Sequence, residues 1–291
     1  MSAKLVKIIK EDTKYSATID AGPKFYVSHA TKYQKYRGIT NDAHPSAPFY
    51  DPAEFPTLGY WAKFMLPTGY VESVLALTNL NTYDSAAFTF GFLQFAAHVP
   101  NGDFVRFFRS LLARPEAADY FPDLFLQNGR IMRKLINGTT QLEDDKSTQA
   151  LMDYLNPNGT VIDDIEVING AKFIDWTKNV PEARQLQVAE ALNTVRNILK
   201  HADLVIGLGG RLDTICLVIM DIMHQGRGKT SAIIQALHSS TVESKQLTAL
   251  LKIGAASYPD RIAGLKKKIN ELVASGDLGV KRYRSATGDF G

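Results

Sequence analysis

The sequence predicts a mainly α fold of the α+β class, with a helical bundle and a small β or loop lobe. Three observations carry this prediction. From Pro181 onward, apolar residues recur at helical spacing in one segment after another. Before residue 60, Pro, Gly, Asn and Asp interrupt the chain too often for long helices, as in HPSAPFYDPAEFPTLGYW. The chain also has 291 residues, 45% hydrophobic and 22% charged, which is enough to bury a large core.

No Ser/Gly-rich or Pro-rich linker and no fixed-period repeat cuts the chain cleanly. Residues 1–60 therefore read as a loop-rich N-terminal extension of short strands and turns packed on the core, and residues 61–291 as the main domain. Residues 61–77 read as helical, with Pro67 and Gly69 delaying the start and Glu72 in the C-terminal half. A polar, turn-rich segment follows at 78–89. Asn101 is a candidate N-cap for a core-facing helix bearing Phe104, Phe107, Phe108, Leu111 and Leu112. Around Asn169-Gly170, alternating residues suggest either a short hairpin or a turn into a helix. Helices are expected at 181–200, 211–224, 230–239, 243–256 and 259–274.

The net charge of +3, from 33 basic and 30 acidic residues, does not argue for nucleic acid, which needs clustered cations. Lys266-Lys267-Lys268 and Lys281-Arg282-Tyr283-Arg284 form a basic tail, a solvated face or an attraction for an anionic polymer. The lone Cys216 lies in an apolar run and reads as a core residue, so no disulfide framework is expected. The N-terminus lacks the apolar stretch of a secretory signal, and no run is long enough for a membrane helix. A target outside the cytoplasm would then be reached by a non-Sec route or by lysis.

Several motifs fail on inspection. HQGRGKTS ends like a phosphate-binding loop, but Met223 occupies the first glycine position and the run follows a helix. GLGGRL places Leu212 at the third glycine of the dinucleotide pattern. The histidines form no metal-ligand pair, and no G-x-S-x-G elbow is present. No cofactor is expected.

What remains is a pair of carboxylates. Glycoside cleavage needs an acid to protonate the leaving oxygen and a second carboxylate to guide water or stabilise charge. Glu72, on an apolar helix facing an aromatic-walled cleft, is expected to be held protonated by desolvation. Asp84, in the polar run NLNTYDS, is expected to stay ionised, with Asp221 as an alternative second acid. Tyr83, Thr89, Phe95 and His98 are candidates for sugar stacking or hydrogen bonding, and a core role for Phe95 is equally open.

Glu72-Ser73, an acidic loop residue and Phe90-Gly91-Phe92-Leu93-Gln94 together resemble the lysozyme-like superfamily, especially goose-type lysozymes and lytic transglycosylases. That pattern is Glu-Ser followed by Gly-Leu-Met-Gln, and here Phe92-Leu93 replace Leu-Met. The resemblance implies a lysozyme-like fold, Glu72 as catalytic acid, Asp84 as the aspartate that positions water, and Gln94 lining the cleft. The Tyr-Asn-Ala-Gly motif of transglycosylases is missing at Met223-His224-Gln225-Gly226, which favours water as acceptor. The helix end DIMHQGRG, with His224 and Arg227, resembles the His-Gly turn of chitosanases.

The function expected on this basis is a muramidase that hydrolyses the β-1,4 glycan of peptidoglycan. Inversion is expected, with the carboxyls roughly 6.5 to 9.5 Å apart. Arg227, Lys229 and the basic tail would suit anionic muramyl peptides, whereas cationic chitosan would need carboxylates. A chitosanase or chitinase, or a non-catalytic wall-binding module, are the alternatives, and a Glu72 that is occluded or paired with an arginine would favour the last. A delivery or immunity partner is compatible with all three, whereas nucleic-acid binding and membrane insertion are not expected.

Overall fold

The chain divides into two units, Met1–Tyr50 with Ser73–Glu190 and Asp51–Glu72 with Ala191–Gly291. The computed structural model describes residues 3–42 and 44–291. It is an α+β protein, 45% helical and 19% strand.

Along the chain, β1 (Val6–Glu11), β2 (Lys14–Ile19), β3 (Phe25–Tyr33) and β4 (Tyr36–Thr40) precede the helices α1 (Tyr60–Phe64) and α2 (Leu66–Ser73). Three two-residue strands follow, β5 (Leu80–Asn81), β6 (Thr89–Phe90) and β7 (Phe95–Ala96), then α3 (Asp103–Leu112) and α4 (Ala117–Tyr120). Next come β8 (Leu124–Gln127), β9 (Arg130–Leu135), β10 (Gly138–Gln141), α5 (Gln149–Leu155), α6 (Asp164–Asn179) and α7 (Pro181–Ile206). The chain ends with α8 (Asp213–Gln225), α9 (Thr230–His238), α10 (Glu243–Leu251), α11 (Pro259–Ala274) and the β11–β12 pair (Tyr283–Arg284, Asp289–Phe290).

In the first unit, β1 to β7 form one antiparallel sheet in sequence order. The strands β1 to β4 thus belong to this unit, which includes the chain to Tyr50 and resumes at Ser73. Strand pairs turn tightly because Asp12 (φ 53°) and Gln34 (φ 53°) adopt the left-handed conformation between Glu11↔Lys14 and Tyr33↔Tyr36. Below the sheet lies a phenylalanine core: Phe173 sits 5.0 to 5.7 Å, ring to ring, from Phe88, Phe90, Phe104, Phe108 and Phe121. The aromatic string after Asp84 is therefore core, with Phe90, Phe92 and Phe95 fully buried, and it does not wall a cleft.

Two local expectations are corrected. Asn101 (φ 52°) does not cap α3, whose N-cap is Gly102; its side chain instead accepts from Arg109 and Arg130 and donates to Asp145. Asn169-Gly170 lies inside α6 and forms no hairpin. A capping box at Asp163 and Glu166 starts that helix, and Asn169 donates to the carbonyls of Tyr154 and Leu155. A Cβ on Gly170 would come within 2.6 Å of Leu80 Cδ2, so glycine permits the close approach of helix and sheet.

Glu166 is fully buried and accepts from Thr82 Oγ1 at 2.9 Å. Burial pushes its carboxyl up from 4.5 to about 8, against the hydrogen bonds from Thr82 and Asp163. Between these values the folded chain keeps a proton that the unfolded chain releases, so stability present below pH 4.5 is lost as pH rises towards 8. Glu166→Gln is expected to remove this loss, which amounts to at most ~5 kcal/mol at ~1.4 kcal/mol per pH unit. Denaturant melts at pH 5 and 9 on both proteins test it, and parallel pH profiles would contradict it.

In the second unit, α1 packs Trp61 and Phe64 against Phe290 of the terminal strand pair, at 5.3 and 5.0 Å. Buried Asp213 anchors that end of the chain, accepting from Tyr60 Oη at 2.9 Å, Gly279 N at 2.8 Å and Lys281 N at 3.1 Å. The helices α8 to α11 fall close to the sequence expectation, and Cys216 is buried on α8.

Candidate functional site

Glu72, the second-last residue of α2, ends in a charged cluster of the second unit. Arg261, near the start of α11, donates from Nη2 to Glu72 Oε1 at 2.7 Å and to Asp221 Oδ1 at 2.8 Å. The other Asp221 oxygen, Oδ2, takes Arg227 Nη1, which also bonds the Asp221 carbonyl at 2.9 Å. His224, one turn after Asp221 on α8, places Nε2 3.6 Å from Glu72 Oε1.

Local sequence explains the construction. Asp221 and His224 are spaced i, i+3 and so share a face of α8. Gly226 ends that helix in the left-handed conformation (φ 71°), which turns the next residue, Arg227, back towards it. A Cβ on Gly254 would lie 2.9 Å from Arg227 Cδ, so glycine leaves room for the arginine stem.

The side chains of Asp221 and Arg227 are 0% exposed, whereas those of Glu72, Arg261 and His224 are 14%, 11% and 12% exposed. Burial lowers the Arg227 guanidinium against the pull of Asp221. Arg261 is also pulled down by burial, but the Glu72 and Asp221 carboxylates outweigh this and hold it above the usual arginine range. Two arginines and two carboxylates balance, with Glu72 the carboxylate that reaches the surface. Because Asp221 fixes Arg261 independently of Glu72, that cation stays in place whatever Glu72 does.

The cluster corrects three expectations. The surroundings of Glu72 are an arginine and a histidine, not an apolar pocket with aromatic walls. Arg227, taken as a substrate contact, is enclosed and spent on Asp221 and the Ile253 carbonyl. Asp221 is no solvent-facing second acid either; it anchors both arginines.

The remaining candidates belong to the first unit. Asp84 is half-buried in the loop between β5 and β6, where Oδ1 accepts from Ala86 N at 2.8 Å and Oδ2 has no hydrogen-bond partner among the described residues. Burial first, then the Asp84 and Asp42 carboxylates, push the neighbouring Tyr83 phenol up. Gln94 (φ 53°) closes a turn by donating to Gly91 O at 2.8 Å and accepts from Asn81 Nδ2. His98 is exposed in a turn. Thr89 is buried on β6, and Phe95 is fully buried 5.8 Å from Phe107, so neither offers a face to a sugar.

Sequence reasoning missed the polar chain that continues from Gln94. Asn81 accepts from Thr40 Oγ1 at 2.6 Å, Thr40 lies 3.1 Å from Asp42 Oδ1, and Asp42 Oδ2 sits 3.3 Å from His29 Nε2. His29 Nδ1 meets Tyr26 Oη at 2.9 Å. Asp42 is exposed with φ 43°, a strained conformation for a residue with a side chain. The only sequence signal was the turn-forming Asn41-Asp42 pair.

Fold and geometry define an α+β protein with a buried charge cluster behind one accessible glutamate and a second, loop-borne acidic patch. Comparison of the chain with protein-family models, with curated proteins and with solved structures finds no match in any of the three.

Proposed function

We propose that the protein is a lysozyme-like glycoside hydrolase that cleaves the β-1,4 glycan of bacterial peptidoglycan. Glu72 donates the proton to the leaving oxygen, water is the acceptor, and the anomeric centre inverts. The observation that carries this reading is the placement of Glu72 at the accessible end of a charge network whose other members are fixed from behind. Buried ion clusters are costly in stability, and their concentration around one reachable carboxylate marks a functional position. Action on the wall after non-Sec delivery is part of the same proposal; among the described residues no helix is long and apolar enough to cross a membrane.

A second reading, hydrolysis of chitosan, draws on a specific observation. Arg227 cannot greet an anionic muramyl peptide, whereas Asp42 and Asp84 both act on Tyr83 and would attract a cationic amino sugar. Parallel assays of turbidity loss on purified cell walls and reducing-end release from chitosan decide the order. Release from chitosan alone would reverse it, and activity on neither would leave a non-catalytic wall-binding module, the reading that the pairing of Glu72 with Arg261 favours.

A further inference from the structure

We propose that a cavity on the first unit, remote in sequence from Glu72 and Asp84, binds the carboxylate of a small aliphatic acid or peptide terminus. Its volume is about 230 Å³, ample for an organic ligand and not merely a single water. One wall is a face of α6, where Ile165, Ile168, Asn169 and Lys172 recur at i, i+3, i+4 and i+7. Opposite stand Arg133 of β9 and Tyr154 of α5.

Both carboxylates that line this cavity already accept hydrogen bonds. Asp123 has both oxygens occupied, Oδ1 by Tyr154 Oη at 2.8 Å and Oδ2 by Arg133 Nε at 3.0 Å. Asp153, at the rim, is exposed and takes Gln149 at 2.8 Å. Lys172, half-buried, rests its Nζ 4.8 Å from the centre of the Phe121 ring and has no hydrogen-bond or ion-pair partner among the described residues. Burial lowers its ammonium, with Asp123 opposing only in part. The terminal nitrogens of Arg133, whose guanidinium lies 4.9 Å over the Tyr154 ring, likewise have no partner among the described residues. Two cations with open donors therefore face one space, and a planar carboxylate satisfies a guanidinium fork and an ammonium together. Ile165 and Ile168 supply an apolar floor for a short aliphatic group beside it. This combination selects a carboxylate with a small hydrocarbon tail over a bare phosphate.

The full chain should be titrated with N-acetyl-alanyl-alanine, its C-terminal amide, propionate and inorganic phosphate, followed by saturation-transfer NMR. The expected result is saturable binding of the dipeptide acid with Kd near ~1 mM, at least ~10-fold weaker binding of the amide and of phosphate, and loss of ~10-fold or more in Lys172→Met. Propionate binding as tightly as the dipeptide would assign the site to free acids, and binding of the dipeptide alone would assign it to a peptide terminus. Arg133→Gln is a second variant, Lys266→Met a charge-matched control elsewhere, and circular dichroism verifies each fold. No saturable binding of either acid, equal binding of amide or phosphate, or unchanged affinity in folded Lys172→Met and Arg133→Gln overturns the proposal.

Discussion

Glu72→Gln is expected to slow glycan cleavage by about 10²- to 10⁴-fold, the usual contribution of a positioned proton donor, with little change in fold. Glutamine keeps the shape of the side chain and accepts from Arg261, but it has no proton to give. Arg261 remains held by Asp221 at 2.8 Å, but the pair is largely enclosed, so its loss should cost roughly 1–3 kcal/mol. Initial rates of turbidity loss and of reducing-end release, measured beside a thermal melt, separate chemistry from stability. Equal rates for wild type and variant would remove Glu72 from the mechanism.

Asp221→Asn is expected to destabilise the protein by roughly 3–5 kcal/mol, because it leaves two arginines without their shared counter-ion in a closed interior. Arg227 is the more exposed to this loss in energetic terms, since its side chain is fully buried and one terminal nitrogen, Nη2, already lacks a partner among the described residues. Activity should fall too, because Arg261 would then be fixed by Glu72 alone. In the double variant Asp221→Asn/Arg227→Met the cost should be smaller than the sum of the single costs, as the uncompensated charge is gone. Calorimetry of the three variants reads this directly. Additive costs would mean that the two residues do not act as a pair.

Much of the helical part was legible because it is repetitive. From Pro181 to Ala274 each helix buries one stripe, and the apolar spacing records it; observed and expected boundaries differ by only a few residues except at α7 and α10, where the expectation ended early and late respectively. The sheet was harder to read. Its hairpin turns at Asp12 and Gln34 use left-handed residues other than glycine, so these two hairpins carried no Asn-Gly or Asp-Gly signature and the segment looked like an irregular arm. The β8–β9 hairpin did carry one, Asn128-Gly129 at φ 52° and 74°, which would have placed both strands. Glu72 was picked out by motif, but Arg261 lies 189 residues away, and a pairing at that separation leaves no local trace. The same holds for Phe95: a buried aromatic and a sugar-stacking aromatic are spelled alike, and only the packing against Phe107 tells them apart.

The central claim is that Glu72 drives hydrolysis of a glycan. Mass spectrometry of the soluble products from purified peptidoglycan and from chitosan, digested in heavy-oxygen water, tests it most directly. The account predicts fragments with a free reducing end carrying one heavy oxygen, released by the wild type and absent with Glu72→Gln. Anhydro-sugar ends, no soluble fragments from either polymer, or undiminished labelled products from the variant would contradict it.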